Sequence, residues 1–183
     1  MANSAYTPTF NLSDGSATEQ KLAAGATLKL GTEQATTSGT SIDFTGIPAG
    51  TKQIIVMLDS VSTNGSSNII LQLGDSGGIE TTGYLGSITY LITSGAVAVS
   101  QVTNGIYATS TGAATNTALG AIILTRMDDN HTWIAVGSTW EETNQANVIQ
   151  QKKILSSELD RIRLTSSNGT DTFDAGSINI AYK

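Results

Sequence analysis

The stretch RIRLTSSNGTDTFDAGSINIAYK (residues 161–183) decides the fold class, because it contains two segments in which every second side chain is apolar. In RIRLT (161–165), isoleucine and leucine alternate with arginine and threonine, and in SINIAY (177–182) two isoleucines and a tyrosine alternate with small or polar residues. Successive side chains of a strand point to opposite faces, so each segment predicts a strand with one buried face. Between them, SSNGTD (166–171) is rich in residues that favour turns.

Short apolar or alternating runs of this kind continue from this stretch back to Thr27, separated by segments rich in Gly, Asn, Asp and Ser. The only helix-like segment, SSELDRI (156–162), is predicted to be a tight bend because strand-like residues follow it. No repeat of fixed period is present, which disfavours solenoids and propellers. The predicted strands are Thr27–Leu30, Ser41–Phe44, Gln53–Val61, Asn68–Leu73, Tyr84–Ile92, Leu119–Arg126, Thr132–Trp140, Ala146–Ile154, Leu159–Thr165 and Ser177–Tyr182.

Two runs, IIVML (54–58) and AIIL (121–124), are apolar at every position. They suit strands that are covered on both faces, or strands covered on one face by an opposing sheet and on the other by a neighbouring subunit. Together with the half-buried strands they predict an all-β fold, an antiparallel β-sandwich of jelly-roll type with an extended N-terminal arm.

The arm is predicted over residues 1–26, and the sandwich domain over residues 27–183. The first 26 residues contain few bulky apolar side chains, and these follow no period that would bury them together. Either the arm becomes ordered against a neighbour or it is a flexible terminus. In the first case, the residues expected to attach it to a larger particle are Tyr6, Pro8, Phe10 and Leu12.

Composition excludes several classes of protein. Only 13% of the 183 residues are charged against 39% hydrophobic, so the surface is predicted to be neutral and hydroxyl-rich, which is typical of proteins that pack against copies of themselves. The net charge of −6 argues against binding of the nucleic-acid backbone. With no cysteine there is no disulfide or thiolate metal site. Neither a membrane-spanning run nor a secretory signal is recognised, so a soluble protein made in the cytosol is expected.

No arrangement for catalysis stands out. His131, the sole histidine, lies in the hairpin-turn sequence MDDNHTW (127–133), and no HExxH, GxSxG, Walker-type or GxGxxG motif is present. The adjacent carboxylates Glu141 and Glu142 would point to opposite faces of a strand, unlike the facing pair of a glycosidase. Asp75 and Asp171 lie in turns, where capping is commoner than calcium binding. A non-enzymatic protein without cofactor or metal is predicted, with a polysaccharide-degrading enzyme as a weak alternative.

The aromatic residues suggest a different function. Trp133 and Trp140 are seven residues apart on one predicted strand and therefore face opposite sides, one in the core and one at a surface or interface. Trp140 and Tyr107, with the loops TSTGAATN (109–116) and MDDNHTW, are the candidates for stacking on a host surface glycan.

Two glycine-rich segments predict rigid corners. In FTGIPAG (44–50), Pro48 cannot donate to a strand ladder and Gly46 and Gly50 permit tight bends, so the chain is expected to pass between sheets there.

In GDSGGIETTGY (74–84), three glycines lie around Asp75, and its carboxylate is expected to accept free backbone N–H groups, which would fix a second corner at Asp75, Gly77 and Gly78.

The segment TTSGTSIDFTGIPAGTKQIIVMLDSVSTNGSSNIILQLGDSGGIETTGY (36–84) resembles a module of tailed-phage structural proteins, and DTFDAGSINIAYK (171–183) resembles the end of that module. The resemblance spans the chain from about Leu28 to its end. In such families the module occurs at the ends of tail fibres and in small virion proteins, usually without known enzymatic activity. A short arm replaces the shaft of a long fibre, which favours a stand-alone appendage.

The resemblance therefore implies a virion protein that acts as capsid decoration (cement) or as a short fibre component. The expected partners are copies of itself, most simply in a homotrimer, and other virion proteins of the capsid or tail. The alternative is a tail-fibre module that recognises host glycan.

Overall fold

In the computed structural model, residues 27–101, 103–109, 113–127, 130–141 and 145–183 are described, and these ranges contain strands and no helix. In chain order the strands are β1 (Lys29–Leu30), β2 (Gln34–Ala35), β3 (Ser41–Thr45), β4 (Gln53–Thr63), β5 (Ile69–Asp75), β6 (Gly78–Ile79), β7 (Tyr84–Ile92), β8 (Val97–Ser100), β9 (Ile106–Tyr107), β10 (Ala118–Arg126), β11 (Thr132–Glu141), β12 (Gln145–Ile154), β13 (Arg161–Ser166) and β14 (Phe173–Tyr182).

The strands form two antiparallel sheets that pack against each other. The large sheet has nine strands in the order β1-β14-β4-β10-β11-β12-β7-β8, with β2 also paired to β14. The small sheet has five strands in the order β3-β13-β5-β6, with β9 also paired to β5. The prediction of an all-β antiparallel sandwich is confirmed.

The connectivity does not confirm the jelly-roll type. A jelly roll is built from two Greek keys. Here β10, β11 and β12 follow one another as adjacent antiparallel strands of the large sheet, so this part of the fold is a meander. Hydrophobic periodicity cannot distinguish these connections, because it records only which face of a strand is buried.

Each of the ten predicted strands overlaps an observed strand, whereas β2, β6, β8 and β9 were not predicted. Three of these four have two residues each, too few for an alternating pattern. The fourth, β8, has the sequence VAVS, whose alternation of valine with small residues could have identified it. In the helix-like segment 156–162, the chain bends at residues 156–157, as predicted, and residues 161–162 already belong to β13.

The core fills the space between the sheets with side chains from the inward faces of both. Strand β5 is buried along its whole length, because the large sheet covers its inner face and the segment of Asn104 and Gly105 lies against Gln72 and Ile70 on its outer face. Among the fully buried side chains, Ile54, Val56, Ile122, Leu124 and Trp133 come from the large sheet, and Ile69, Ile70, Leu71, Leu73, Ile162 and Leu164 come from the small sheet.

The corner FTGIPAG carries the chain from β3 in the small sheet to β4 in the large sheet. Gly46 and Gly50 have φ values of 73° and 83°, which a side chain would strain. The Gly50 N–H donates to Glu158 Oε1 at 2.9 Å, and Ile47 between the two glycines is buried in the core. Pro48 is exposed, and its carbonyl accepts from the Thr51 hydroxyl at 2.7 Å.

The segment GDSGG closes the hairpin between β5 and β6. The Gly77 N–H donates to Asp75 Oδ1 at 2.7 Å, so the carboxylate caps its own turn. Gly78 begins β6, paired with Asp75.

In the centre of the large sheet, Gly137 on β11 lies against the backbone of β10. A Cβ atom added there would be 2.4 Å from the carbonyl oxygen of Ala121 and 2.8 Å from the Cα atom of Ile122. Because these contacts are with backbone paired in the ladder, they cannot be relieved by rotating a side chain.

We therefore expect Gly137→Ala to lower the free energy of unfolding by about 2 kcal/mol or more, since a side chain must push two paired strands apart. The neighbouring Ser138→Ala, on the exposed side of the same strand, is the matched control and should change it by about 0.5 kcal/mol or less. Urea denaturation of both variants measures the difference. An equal effect of the two substitutions would contradict the close approach of β10 and β11.

Candidate interaction surface

The surface of the large sheet that faces away from the core carries a row of apolar side chains across five strands. Leu119 of β10 lies opposite Trp140 of β11, and Trp140 lies opposite Ala146 of β12. The row continues through Leu91 of β7 to Val97 of β8. Strand pairing brings these five residues together, although Leu119 and Trp140 are 21 residues apart in the sequence and Leu91 and Ala146 are 55 apart.

More apolar side chains lie on the same surface, and we refer to the large exposed ones together as the outer face. Their exposed fractions range from 37% to 62%, although side chains of these types are usually buried. The outer face consists of Leu85, Leu91, Val97, Val99, Leu119, Val136, Trp140 and Val148; Ile154, at the end of β12 beyond Lys152, is exposed on the same side of the sheet but lies outside the outer face.

Charge is almost absent from this surface. By the alternation of the strands, Lys152 is the single charged side chain that points outward from the described residues of β7, β8, β10, β11 and β12. It borders a shallow depression of about 440 Å³ whose lining includes Leu85, Ile134 and Val136. An exposed apolar surface of this kind is typical of a contact with another macromolecule.

The two tryptophans face opposite sides of β11, as predicted. Trp133 is 2% exposed and belongs to the core, whereas Trp140 is 38% exposed and belongs to the outer face. The alternation of a regular strand is the reason, since the two positions differ by an odd number of residues.

Tyr107 does not share a surface with Trp140. It lies on β9 of the small sheet and is 4% exposed, and its hydroxyl accepts a hydrogen bond from Asn68 Nδ2 at 2.9 Å. A sugar can therefore stack on Trp140 but not on Tyr107. Residues 110–112 and 128–129, which belong to the two loops predicted to assist in glycan binding, lie outside the described residues.

Under one end of the outer face, a buried network of polar side chains connects β11 and β12 to the segment around β9. Asn147 Nδ2 donates to Thr139 Oγ1 at 3.2 Å, and the Thr139 hydroxyl donates to the carbonyl of Ala108 at 2.6 Å. Gln145 Nε2 donates to Asn147 Oδ1 at 2.7 Å. Sequence reasoning missed this network. The inward polar positions of QANVIQQK (145–152) were its only signal.

An ion-paired cluster connects the β5–β6 hairpin to the end of β12. The Lys153 side chain is 5% exposed and pairs with Glu80, and its Nζ atom lies 5.3 Å from the centre of the Tyr84 ring. The Ser156 N–H donates to Glu80 Oε1 at 2.7 Å, and the Ser156 hydroxyl lies 2.8 Å from Asp75 Oδ2. The cluster fastens the two sheets together at this end.

Burial tends to raise the pKa of Glu80, but the hydrogen bonds from Lys153 and Ser156 outweigh it and hold the pKa below its ordinary value of 4.5. The contribution of this carboxylate to stability is therefore complete above about pH 4.5 and is lost as the pH falls through the pKa of the folded state.

We expect Glu80→Gln to lower the free energy of unfolding by roughly 2 kcal/mol near neutral pH, because it leaves the nearly buried Lys153 without its counter-charge. The difference from the unsubstituted protein should shrink as the pH falls below 4.5. Urea denaturation over a pH series measures it, with the exposed Glu33→Gln as the control. A difference that stays constant down to low pH would contradict the lowered pKa.

The remaining candidates for chemistry also serve the fold. Glu158 Oε1 accepts from Arg126 at 2.8 Å, and His131 Nδ1 lies 3.7 Å from Glu158 Oε2. The Gly50 N–H, followed by the charges of Arg126 and His131, lowers the pKa of Glu158. In the described part of the chain His131 lies beside Glu158 and forms no hydrogen bond with a serine hydroxyl, so a Ser-His-Asp arrangement has no support there.

Asp171, the turn residue considered for calcium or hydrolysis, accepts hydrogen bonds from the Ser67 N–H at 3.0 Å and from Asn168 Nδ2 at 2.6 Å. These bonds lower its pKa, the bond from Asn168 most. Among the described residues, no three His, Cys, Asp or Glu side chains are grouped so that they could hold a metal ion.

The residues predicted for particle attachment, Tyr6, Pro8, Phe10 and Leu12, lie outside the described residues, as does the whole predicted arm, residues 1–26. The part of the chain that is described has no helix long and apolar enough to cross a bilayer.

No protein-family model, curated protein sequence or solved structure matches this chain.

Proposed function

We propose that this protein is a non-enzymatic structural subunit of a tailed-phage virion, acting as capsid decoration (cement) or as a short fibre component. The outer face is the observation that carries the structural role, and the resemblance of residues 36–84 and 171–183 to a phage module supports the virion context. The protein would work by burying surface against neighbouring subunits, at the virion.

The size of the outer face supports this proposal. From their exposed fractions, its eight side chains present roughly 650 Å² to solvent, whereas the largest apolar patch of a typical monomer is about 300–600 Å². Surface of this extent is unfavourable in water unless it is covered.

The state of the polar groups supports a structural role as well. Asp75, Glu80, Glu158 and Asp171 are engaged in turn caps and ion pairs that hold the fold together. The contacts hold the pKa values of Glu80, Glu158 and Asp171 below their ordinary values, further from the neutral range that suits a general acid or base.

In a virion, weak contacts add up because many identical copies are held close together. The arm residues Tyr6, Pro8, Phe10 and Leu12 would add contacts with the capsid or tail, and a homotrimer remains the predicted form. The contacts of the arm and the homotrimer are both part of this proposal.

The number of copies per particle tests the function. Phage particles purified from a lysate that contains this protein should carry it, and quantitative mass spectrometry gives its ratio to the major capsid protein. Hundreds of copies would indicate capsid decoration, and a few trimers would indicate a tail or vertex position. Its absence from purified particles would contradict a virion function.

The exposure of Trp140 favours a second candidate function, in which the protein recognises a host surface glycan by stacking a sugar ring on the indole. We expect, on this alternative, specific signals on a glycan array that Trp140→Ala abolishes while Tyr107→Phe retains them, since Tyr107 is buried. An array without signals above background would exclude this alternative for the glycans displayed.

A further inference from the structure

We infer that the outer face is a self-association surface, so that two or more copies of this chain bury their outer faces against one another. The inference deepens the proposed function, on which it rests, by naming the surface and its partner.

The first argument is area. A standard protein interface buries about 800 Å² on each partner, and the outer face alone presents roughly 650 Å² of large exposed side chains. The partly buried Ile123 and Ile134 lie beside them and extend the same surface. A second copy therefore finds enough apolar surface here for a stable contact, without any contribution from the small sheet.

The second argument is charge. A partner with a charged surface would lose hydration when covered by this face and would find one lysine, Lys152, as its only ionic partner among the described outward residues of β7, β8 and β10–β12. A second copy brings a face that is equally poor in charge. Self-association thus avoids the cost of burying unpaired charge, and at the edge of the contact Lys152 remains close to water.

The third argument is side-chain size. The row of Leu119, Trp140, Ala146, Leu91 and Val97 contains three large side chains, and we call it the ridge for that reason. The adjacent row, which we call the groove, has no side chain larger than valine; it consists of Ala121, Ser138, Val148, Thr89 and Val99.

A ridge beside a parallel groove is complementary to a rotated copy of itself. When two such sheets face each other, the ridge of each can lie along the groove of the other, as side chains interdigitate between packed sheets. In most homo-oligomers a rotation axis relates the subunits, and in the commonest case, the two-fold dimer, the same surface of both subunits forms the contact.

The test is the mass of the full chain in solution, because it needs no particle and no host. At about 50 µM, a concentration that populates contacts of micromolar affinity, light scattering coupled to size exclusion should give a multiple of 18.9 kDa. Val148→Lys, which places a charge in the groove, and Trp140→Glu, which places one on the ridge, should each reduce the mass to that of one chain.

Thr170→Lys is the matched control, since it adds the same charge as Val148→Lys in an exposed turn between β13 and β14. It should retain the mass of the unsubstituted protein. Far-ultraviolet circular dichroism and the unfolding midpoint of each variant show whether it is folded, and only folded variants are compared. Leu91→Lys is a further variant of the ridge if Trp140→Glu does not fold.

Two results would overturn the inference: a single-chain mass for the unsubstituted protein, or an oligomer whose mass is unchanged in folded Val148→Lys and in the folded ridge variant, Trp140→Glu or Leu91→Lys. Either result leaves the virion function standing if the protein is present on purified particles. Conversely, an oligomer that depends on the outer face but is absent from particles would support the inference and contradict the virion function.

Discussion

A strand places successive side chains on opposite faces of its sheet, and in this protein the central strands of the large sheet are apolar on both. In β10 the inward Ile122 and Leu124 are fully buried, whereas the outward Ile123 is only partly covered and Leu119 is 37% exposed. The small sheet can cover only one of the two faces of the large sheet. The rest of the structure follows from this constraint: a dry interior on one side of the large sheet, and an apolar exterior on the other that water disfavours.

The two sheets are held in register by contacts at their margins as well as by the core. The corner from β3 to β4 is anchored by the bond from Gly50 to Glu158, and the hairpin of β5 and β6 is anchored by Lys153 and Ser156. These polar contacts lie on segments that cross from one sheet to the other. Because the chain has no cysteine, the margins of the two sheets are held together by non-covalent contacts alone.

Most of the strands could be predicted because their patterns are local. The alternation in RIRLT and SINIAY records burial on one face, and the opposite placement of Trp133 and Trp140 follows from an odd separation on one strand. The pairing of strands that are distant in the sequence leaves no local pattern from which it could be predicted. Nothing in the sequence places β13 in the small sheet and β14 in the large sheet, although the two are consecutive. For the same reason no local pattern predicts the meander of β10, β11 and β12, or the burial of the candidate glycan residue Tyr107 on β9.

By itself the sequence determined the class of fold, the approximate bounds of the long strands, the corner at Pro48 and the scarcity of charge, because each depends on residues that are neighbours in the chain. Only the tertiary structure decided which apolar residues share a surface. Leu119, Trp140, Ala146, Leu91 and Val97 form one row because the register of four strand pairs aligns them. The register depends on hydrogen bonds and packing across the whole sheet, which a pattern of period two cannot specify.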